Sequence, residues 1–133
     1  MNAKGWMVWA AIAAGSALGG VMRHLTTEAV IHFTGSGFPW GTLAVNVTGS
    51  LAIGACAAVF AGSSASEWSV ITRHAAVTGL LGGFTTFSTF SVQTMTLMQQ
   101  GQWLAAIGNV SASVGLSLVA CFAGYALTTS MVR

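Results

Sequence analysis

The chain has 133 residues and a net charge of +2, and it is 54% hydrophobic but only 5% charged. Because soluble domains carry about 25% charged residues, this composition excludes an ordinary water-soluble domain and indicates an integral membrane protein. A spanning helix needs about 20 apolar residues, so the length allows four helices with short loops and leaves no room for a soluble catalytic domain. The small net charge gives no indication of nucleic-acid binding.

Apolar runs predict an all-α membrane protein in which residues 1–133 form a single domain with four transmembrane helices. The predicted helices cover about residues 6–31, 40–60, 69–98 and 103–128. Pro39 comes just before the second helix, in a position where proline is tolerated. The third run, of about 30 residues, is longer than one straight span requires, which favours a helix broken into two halves.

The first predicted helix carries Arg23, a basic side chain well within a span. Ionisable side chains at membrane depth are costly and usually face the protein interior or a wet cavity. One interpretation is therefore an electropositive vestibule that attracts an anion. The alternative is that Arg23 extends to the lipid headgroups, and the sequence leaves both interpretations open.

The second predicted helix carries a polar stripe around Asn46. Thr42, Gly49 and Ser50 lie on the same helix face as this asparagine. A polar side chain in a spanning helix often forms an interhelical hydrogen bond. The alternative is that the Asn46 amide donates a hydrogen bond to a permeating anion, and the sequence is consistent with both roles.

The third predicted helix contains the most informative segment of the chain, residues 82–91, where a glycine pair precedes hydroxyl residues interleaved with phenylalanines. Adjacent glycines weaken a helix, and irregular or polar backbone at membrane depth is tolerated where it is buried in protein or lines a watery path. The segment therefore predicts a helix break in a transport protein. Phe87 and Phe90 lie on one face, either for packing or to present positive ring edges to a small anion.

Hydroxyl side chains supply further candidate donors to an anion. Ser88 and Thr89 lie beside the phenylalanines, and the fourth predicted helix has a polar stripe at four-residue spacing. The stripe consists of Asn109, Ser113 and Ser117, with Ser111 beside it. We predict that Ser88, Thr89, Ser111 and Ser113 are pore residues. Hydrogen bonds from these hydroxyls to their own backbone are the alternative.

Small residues recur four positions apart in each predicted helix, a spacing that places both members of a pair on one face. Close backbone approach on such a face drives helix packing in lipid. The pairs are Gly15 and Gly19, Ser50 and Gly54, Gly79 and Gly83, and Ser111 and Gly115. Packing within one subunit and packing at a dimer interface both fit this spacing.

No carboxylate lies in the middle of a predicted span, because Glu28 is near the end of the first helix and Glu67 is in a predicted loop. Proton-coupled exporters normally use an embedded acid, which argues against a small multidrug-type proton-coupled exporter. The three histidines lack metal-ligand spacing, and no nucleophile–base or phosphate-binding motif is present. We therefore expect that the protein is not an enzyme. A non-transporting assembly or regulatory protein is a further alternative.

Three motifs together resemble those of the Fluc (CrcB-type) fluoride channels. The first helix has Gly15-x3-Gly19-x3-Arg23, and the second has Gly41-Thr42-Leu43-x-Val45-Asn46-x2-Gly49-Ser50. The third and most specific motif is Gly79-x2-Gly82-Gly83-x-Thr85-Thr86-Phe87-Ser88-Thr89-Phe90-Ser91. The resemblance covers three of the four predicted helices in the right order.

This resemblance implies a dual-topology, antiparallel homodimer in the bacterial inner membrane. Its two pores would let cytoplasmic fluoride leave passively and so confer fluoride resistance. Asn46 then corresponds to the pore asparagine of the family, and Phe87 and Phe90 to its paired pore phenylalanines. Ser88 and Thr89 fall among its pore-side hydroxyls. The implied partners are the fluoride ion, the lipid bilayer and a second copy of the chain, with no nucleic acid.

The resemblance also assigns the remaining sites. Arg23 matches the helix-one arginine of the family. The resemblance further implies a structural sodium ion at the dimer centre, which the backbone carbonyls of Gly82 and Thr85 would hold and which would not be transported. A helix break frees such carbonyls, and hard oxygen ligands suit a small hard cation. The chain departs from the family pattern at Gln93, where many relatives have an acid, and at Asn109, near which some place a tyrosine or a histidine.

Overall fold

The computed structural model describes residues 3–61 and 67–132, and the described part is helical apart from short connections. In chain order the helices are α1 (Ala3–Thr34), α2 (Trp40–Ala61), α3 (Glu67–Arg73 continuing through His74–Leu81 to Gly82–Phe84), α4 (Phe87–Gln99) and α5 (Trp103–Val132). Because α3 begins at Glu67, this residue lies at a helix end and not in the loop that the sequence predicts. It still lies outside the middle of a span.

Within residues 3–61 and 67–132, four helical segments are long and apolar enough to cross a membrane, which confirms the predicted all-α architecture with four spans. They cover Gly5–Thr34, Trp40–Ala61, Val70–Gln99 and Trp103–Met131. Large apolar side chains such as Leu104 and Phe122 are exposed on the outer surface of the bundle. An apolar outer surface of this kind suits contact with lipid, so the chain is a multi-pass membrane protein.

Helices α1 and α3 pack through glycines on both sides. A Cβ atom at Gly15 or Gly19 would collide with the backbone of α3, and one at Gly83 would lie 2.5 Å from the Ser16 carbonyl oxygen of α1. Gly79 faces the α1 backbone in the same way. Close backbone approach strengthens van der Waals contact between helices in lipid. These two glycine pairs therefore serve packing within one subunit.

Helix α2 packs most extensively against α5, again through glycines. Gly54 of α2 faces the Cys121 carbonyl oxygen of α5, and Gly124 of α5 faces the Leu51 carbonyl oxygen of α2, both too closely for a Cβ atom. By contrast, Gly115 has open space around it on the exposed side of α5. The four-residue spacing therefore marks an intrasubunit contact at Gly54 and an outward face at Gly115.

The middle of α3 is wider than an α-helix. His74–Leu81 is π-helical, a geometry in which each N–H bonds to the carbonyl five residues earlier. At its end, the Gly82 N–H donates to the Val77 carbonyl. This stretch packs against the glycine face of α1. The sequence does not predict the π-helix, because the apolar pattern of these residues is equally consistent with an α-helix.

A tight turn joins α4 to α5. Gly101 has a φ of +75°, the left-handed conformation that glycine adopts without a steric penalty. Its N–H donates to the Met98 carbonyl at 3.0 Å, and the Gln102 N–H donates to the Leu97 carbonyl at 2.9 Å. These two bonds form a Schellman motif. The turn therefore fixes the carboxyl end of α4 beside the start of α5.

Candidate functional site

The third span is interrupted at Thr85 and Thr86, between α3 and α4. Both residues have extended backbone, with φ −77° and ψ 157° at Thr85 and φ −152° and ψ 115° at Thr86. The Thr85 N–H still donates to the Leu81 carbonyl at 2.9 Å. The Thr86 N–H is therefore the first to leave the helical hydrogen-bond pattern. The predicted bend in the third helix is confirmed, and it lies within the hydroxyl- and phenylalanine-rich motif.

Asn46 of α2 bonds to main-chain groups at this interruption. Its Oδ1 accepts a hydrogen bond from the Thr86 N–H at 2.8 Å, and its Nδ2 donates to the Thr86 carbonyl oxygen at 3.0 Å. The carboxamide therefore pairs with Thr86 as a neighbouring peptide unit would in a β-ladder. The interhelical hydrogen bond considered for Asn46 is present, and its Nδ2 retains a second N–H for another acceptor.

Thr86 also caps the start of α4. Its Oγ1 accepts a hydrogen bond from the Thr89 N–H at 3.3 Å, an interaction that satisfies an otherwise unpaired donor in the first turn of a helix. The hydroxyl oxygens of Thr89 and Ser88 lie 3.0 Å and 3.3 Å from the same Oγ1. These two predicted pore residues are exposed, and their hydroxyls gather around the cap of α4.

The interruption removes the helical donors of the Gly82 and Thr85 carbonyl oxygens. In a continuous α-helix the Thr86 N–H would bond to the Gly82 carbonyl, and the Thr89 N–H would bond to the Thr85 carbonyl. Here both N–H groups donate to side-chain oxygens instead. The Nη1 of Arg23, a half-buried residue of α1, donates to the Thr85 carbonyl at 3.5 Å. The guanidinium therefore reaches the interruption itself.

A cavity of about 340 Å³ lies against the interruption, with walls from α2, α4 and α5. The residues that line it are Asn46, Gly49, Ser50, Ile53, Thr85, Thr86, Phe87, Phe90, Ser113, Val114, Ser117 and Leu118. None of these lining residues is charged. The structure thus brings Asn46, Phe87, Phe90 and Ser113 together from three separate helices, as a shared site requires.

The two phenylalanines of the cavity differ in their surroundings. Their ring centroids are 5.3 Å apart and their planes are tilted by 49°, so the rings do not stack face to face. Phe90 is 8% exposed, whereas Phe87 is 76% exposed. The subunit therefore encloses one ring of the pair and leaves the other open to its surroundings.

Two serines of α5 line the cavity, and a third does not. Ser113 Oγ donates to Asn109 Oδ1 at 3.3 Å, whereas the buried Ser117 Oγ has no hydrogen-bond partner among the described residues. Ser111 is exposed and lies outside the cavity wall. Ser117 was not among the predicted pore residues, although the four-residue stripe that contains Ser113 could have identified it.

Comparisons with known proteins agree with the resemblance seen in the motifs. The family model described as "CrcB-like protein, Camphor Resistance (CrcB)" matches residues 10–125. The chain is 45% identical over 121 residues to a fluoride-specific ion channel FluC of Rhizobium meliloti (strain 1021), a match that covers 91% of this chain and 95% of that protein.

Two further relatives carry the same name. A fluoride-specific ion channel FluC of Opitutus terrae is 47% identical over 114 residues, which is 86% of each chain. That of Paramagnetospirillum magneticum is 41% identical over 131 residues, covering 96% of this chain and 99% of the relative. The family model and these near-complete alignments lead to one conclusion: the chain belongs to the CrcB-like family.

Proposed function

We propose that this protein is a passive, fluoride-selective ion channel that exports cytoplasmic fluoride across the bacterial inner membrane. The observation that carries the proposal is the uncharged cavity at the interruption, whose walls combine Asn46 and Ser117 with Phe87 and Phe90. The relatives of the chain are named fluoride-specific ion channels. A channel needs no catalytic groups, and the cavity wall holds no acidic or basic side chain that could act as one.

The cavity offers hydrogen-bond donors to a small anion. One N–H of the Asn46 amide bonds to Thr86, which leaves the other for an ion, and the Ser117 hydroxyl can rotate toward an acceptor. The edges of the Phe87 and Phe90 rings carry positive quadrupole. Donors and ring edges at close quarters suit a small, poorly polarisable anion such as fluoride better than a larger one such as chloride.

The lack of acidic side chains on the cavity wall favours a passive pore over proton-coupled exchange. A coupled exporter needs a membrane-embedded acid, and Glu28 is exposed and lies outside the cavity wall. Hydrogen fluoride is a weak acid, so it enters a cell in neutral form and ionises inside. The membrane potential then drives the trapped anion outward, and a selective pore suffices for resistance.

The exposed ring of Phe87 supports assembly into a dimer. This ring is 76% exposed although it borders the proposed ion path, and the adjacent Ser88 and Thr89 are exposed as well. A second copy of the chain, inserted in the opposite orientation, would cover this face and complete the wall of the pore. We therefore propose that the channel is an antiparallel, dual-topology homodimer with two pores.

The main-chain oxygens at the interruption fit a structural sodium ion. The carbonyls of Gly82 and Thr85 have lost their helical donors to side-chain acceptors, and hard oxygen ligands suit a small hard cation. No cluster of three or more His, Cys, Asp or Glu side chains is present in residues 3–61 and 67–132, so main-chain oxygens are the candidate ligands. When bound, the ion would supply a fixed positive charge beside the anion path.

Fluoride efflux from liposomes tests the proposed function directly. Purified protein is reconstituted in sodium-containing buffer, and fluoride release is followed with an ion-selective electrode, with chloride release measured in parallel. The proposal expects rapid fluoride release that needs no proton gradient, and no comparable chloride release. Absence of fluoride release from folded protein would overturn it and favour a non-transporting membrane protein.

A further inference from the structure

A row of buried polar groups links α4 to α5 just outside the cavity. Asn109 of α5 is 1% exposed, and its Nδ2 donates to Thr94 Oγ1 of α4 at 2.8 Å. Thr94 Oγ1 in turn donates to the Phe90 carbonyl oxygen at 2.8 Å. On the other side, Asn109 Oδ1 accepts from Ser113 Oγ at 3.3 Å. The row therefore begins at one cavity-lining residue and ends at another.

The direction of every hydrogen bond in this row is fixed. A hydroxyl has one proton, and Thr94 gives its proton to the Phe90 carbonyl, so Thr94 can only accept from Asn109. The amide nitrogen of Asn109 must then face α4, and its oxygen must face Ser113. Because Asn109 is deeply buried, losing either partner would leave a desolvated polar group without a hydrogen bond.

The row matters because α4 lacks the support of a continuous helix. Its start is cut from α3 at Thr85 and Thr86 and is held by the pairing of Asn46 with Thr86, while its end is held by the turn at Gly101. Between these two ends, the bond from Asn109 to Thr94 is a side-chain hydrogen bond that joins α4 to α5. Thr94 lies one turn after Phe90, so this bond fixes the rotation of α4 at the ring.

We propose that Asn109 is a positioning residue that sets the gap between Phe90 and the serine wall of α5, and thereby the selectivity of the pore for fluoride over chloride. This inference rests on the proposed fluoride conduction. Asn109 does not line the cavity, and it acts through Thr94 on one side and Ser113 on the other. A loosened α4 lets the gap widen, and a wider gap admits the larger ion.

The test removes the bond while keeping the branching of each side chain. Thr94→Val replaces the hydroxyl with a methyl group, and Asn109→Leu replaces the amide with an apolar group that has the same number of heavy atoms. Fluoride and chloride efflux from liposomes are measured for each variant. We expect the ratio of fluoride to chloride efflux to fall about tenfold in both, a size that matches the loss of one buried hydrogen bond. The double variant should fall no further than Asn109→Leu alone, because that substitution already removes the bond to Thr94 together with the bond from Ser113.

Two control variants separate positioning from general damage. Thr94→Ser keeps the hydroxyl and should keep the wild-type efflux ratio. Thr96→Val removes a hydroxyl that bonds to its own helix in the same way, to the Val92 carbonyl at 2.9 Å, but Thr96 is exposed on α4. Its efflux ratio should also remain that of the wild type.

The outcomes distinguish this inference from the function on which it rests. A wild type that releases no fluoride overturns both. A selective wild type together with a folded Thr94→Val variant of unchanged efflux ratio overturns the positioning role alone. An equal fall in the efflux ratio of the Thr96→Val variant would also overturn the positioning role, because that substitution leaves the link to α5 intact. If Asn109→Leu does not fold, the comparison of Thr94→Val with Thr94→Ser decides the question.

Discussion

Asn46 and Thr86 form a reciprocal pair of hydrogen bonds, 2.8 Å and 3.0 Å long, across the interface between α2 and the interruption. One side chain thereby satisfies both main-chain groups of a residue that has left the helical pattern. An unpaired main-chain group in a membrane costs several kcal/mol. Asn46 therefore stabilises the interruption and, with its second N–H, remains a candidate donor to the ion.

Asn46→Asp tests both roles of this side chain. A carboxylate can accept from the Thr86 N–H but cannot donate to the Thr86 carbonyl, and it places a negative charge on the anion path. We expect fluoride efflux from liposomes to fall at least about tenfold, equivalent to about 1.4 kcal/mol. Gln99→Glu, an amide-to-acid change at an exposed position of α4, serves as the control and should conduct normally. Wild-type efflux from a folded Asn46→Asp variant would place the ion path elsewhere.

Much of the architecture is predictable because it depends on composition and local pattern. Hydropathy alone identifies the four spans, and the motif at residues 82–91 predicts the bend. The bend, however, lies after the glycine pair and not at it. Gly82 and Gly83 remain helical, and the backbone becomes extended at Thr85 and Thr86. The second glycine instead permits the close approach of α3 to Ser16 of α1.

The finer parts of the site depend on helix rotation, which local patterns do not fix. The stripe containing Ser113 and Ser117 is visible in the sequence, but which serines line the cavity depends on how α5 packs against α2 and α4. The bond between Asn109 and Thr94 joins residues from two helices, and their spacing in the sequence does not predict that they meet. Contacts that form only through tertiary packing therefore cannot be predicted from the pattern of the sequence.

The contact between α1 and α3 predicts opposite effects for two neighbouring glycines. A Cβ atom at Gly19 would collide with the α3 backbone at Leu80, whereas one at Gly20 meets nothing within 4 Å. Gly19→Ala should lower the free energy of unfolding in detergent by about 1–3 kcal/mol, the usual cost of overpacking. Gly20→Ala should be neutral or stabilising by up to about 1 kcal/mol, because alanine favours helix. Equal stabilities of the two variants would contradict the packing described for α1 and α3.

Replacing sodium with a bulky organic cation tests the proposed ion site. If the Gly82 and Thr85 carbonyls hold sodium, removing it takes away a ligand that binds only the folded protein, and the melting temperature of the detergent-solubilised protein should fall. Because a ligand stabilises the folded state in proportion to the logarithm of its concentration above Kd, the melting temperature should rise steadily as sodium is restored. A melting temperature that does not respond to sodium, at constant ionic strength, would argue against the site.

Arg23 lies close to the proposed ion path, because its Nη1 is 3.5 Å from the carbonyl oxygen of Thr85, a residue that lines the cavity. A positive charge near the ion path raises the local anion concentration, and salt screens this effect over about 8–10 Å at physiological ionic strength. We expect Arg23→Gln to reduce fluoride efflux several-fold at low ionic strength, and the deficit to shrink as an impermeant salt is added. Arg73→Gln removes an exposed guanidinium that lies outside the cavity wall and should behave as wild type. A deficit in Arg23→Gln that is independent of salt would instead assign Arg23 to the packing of α1 against the interruption, since loss of a hydrogen bond is not screened in this way.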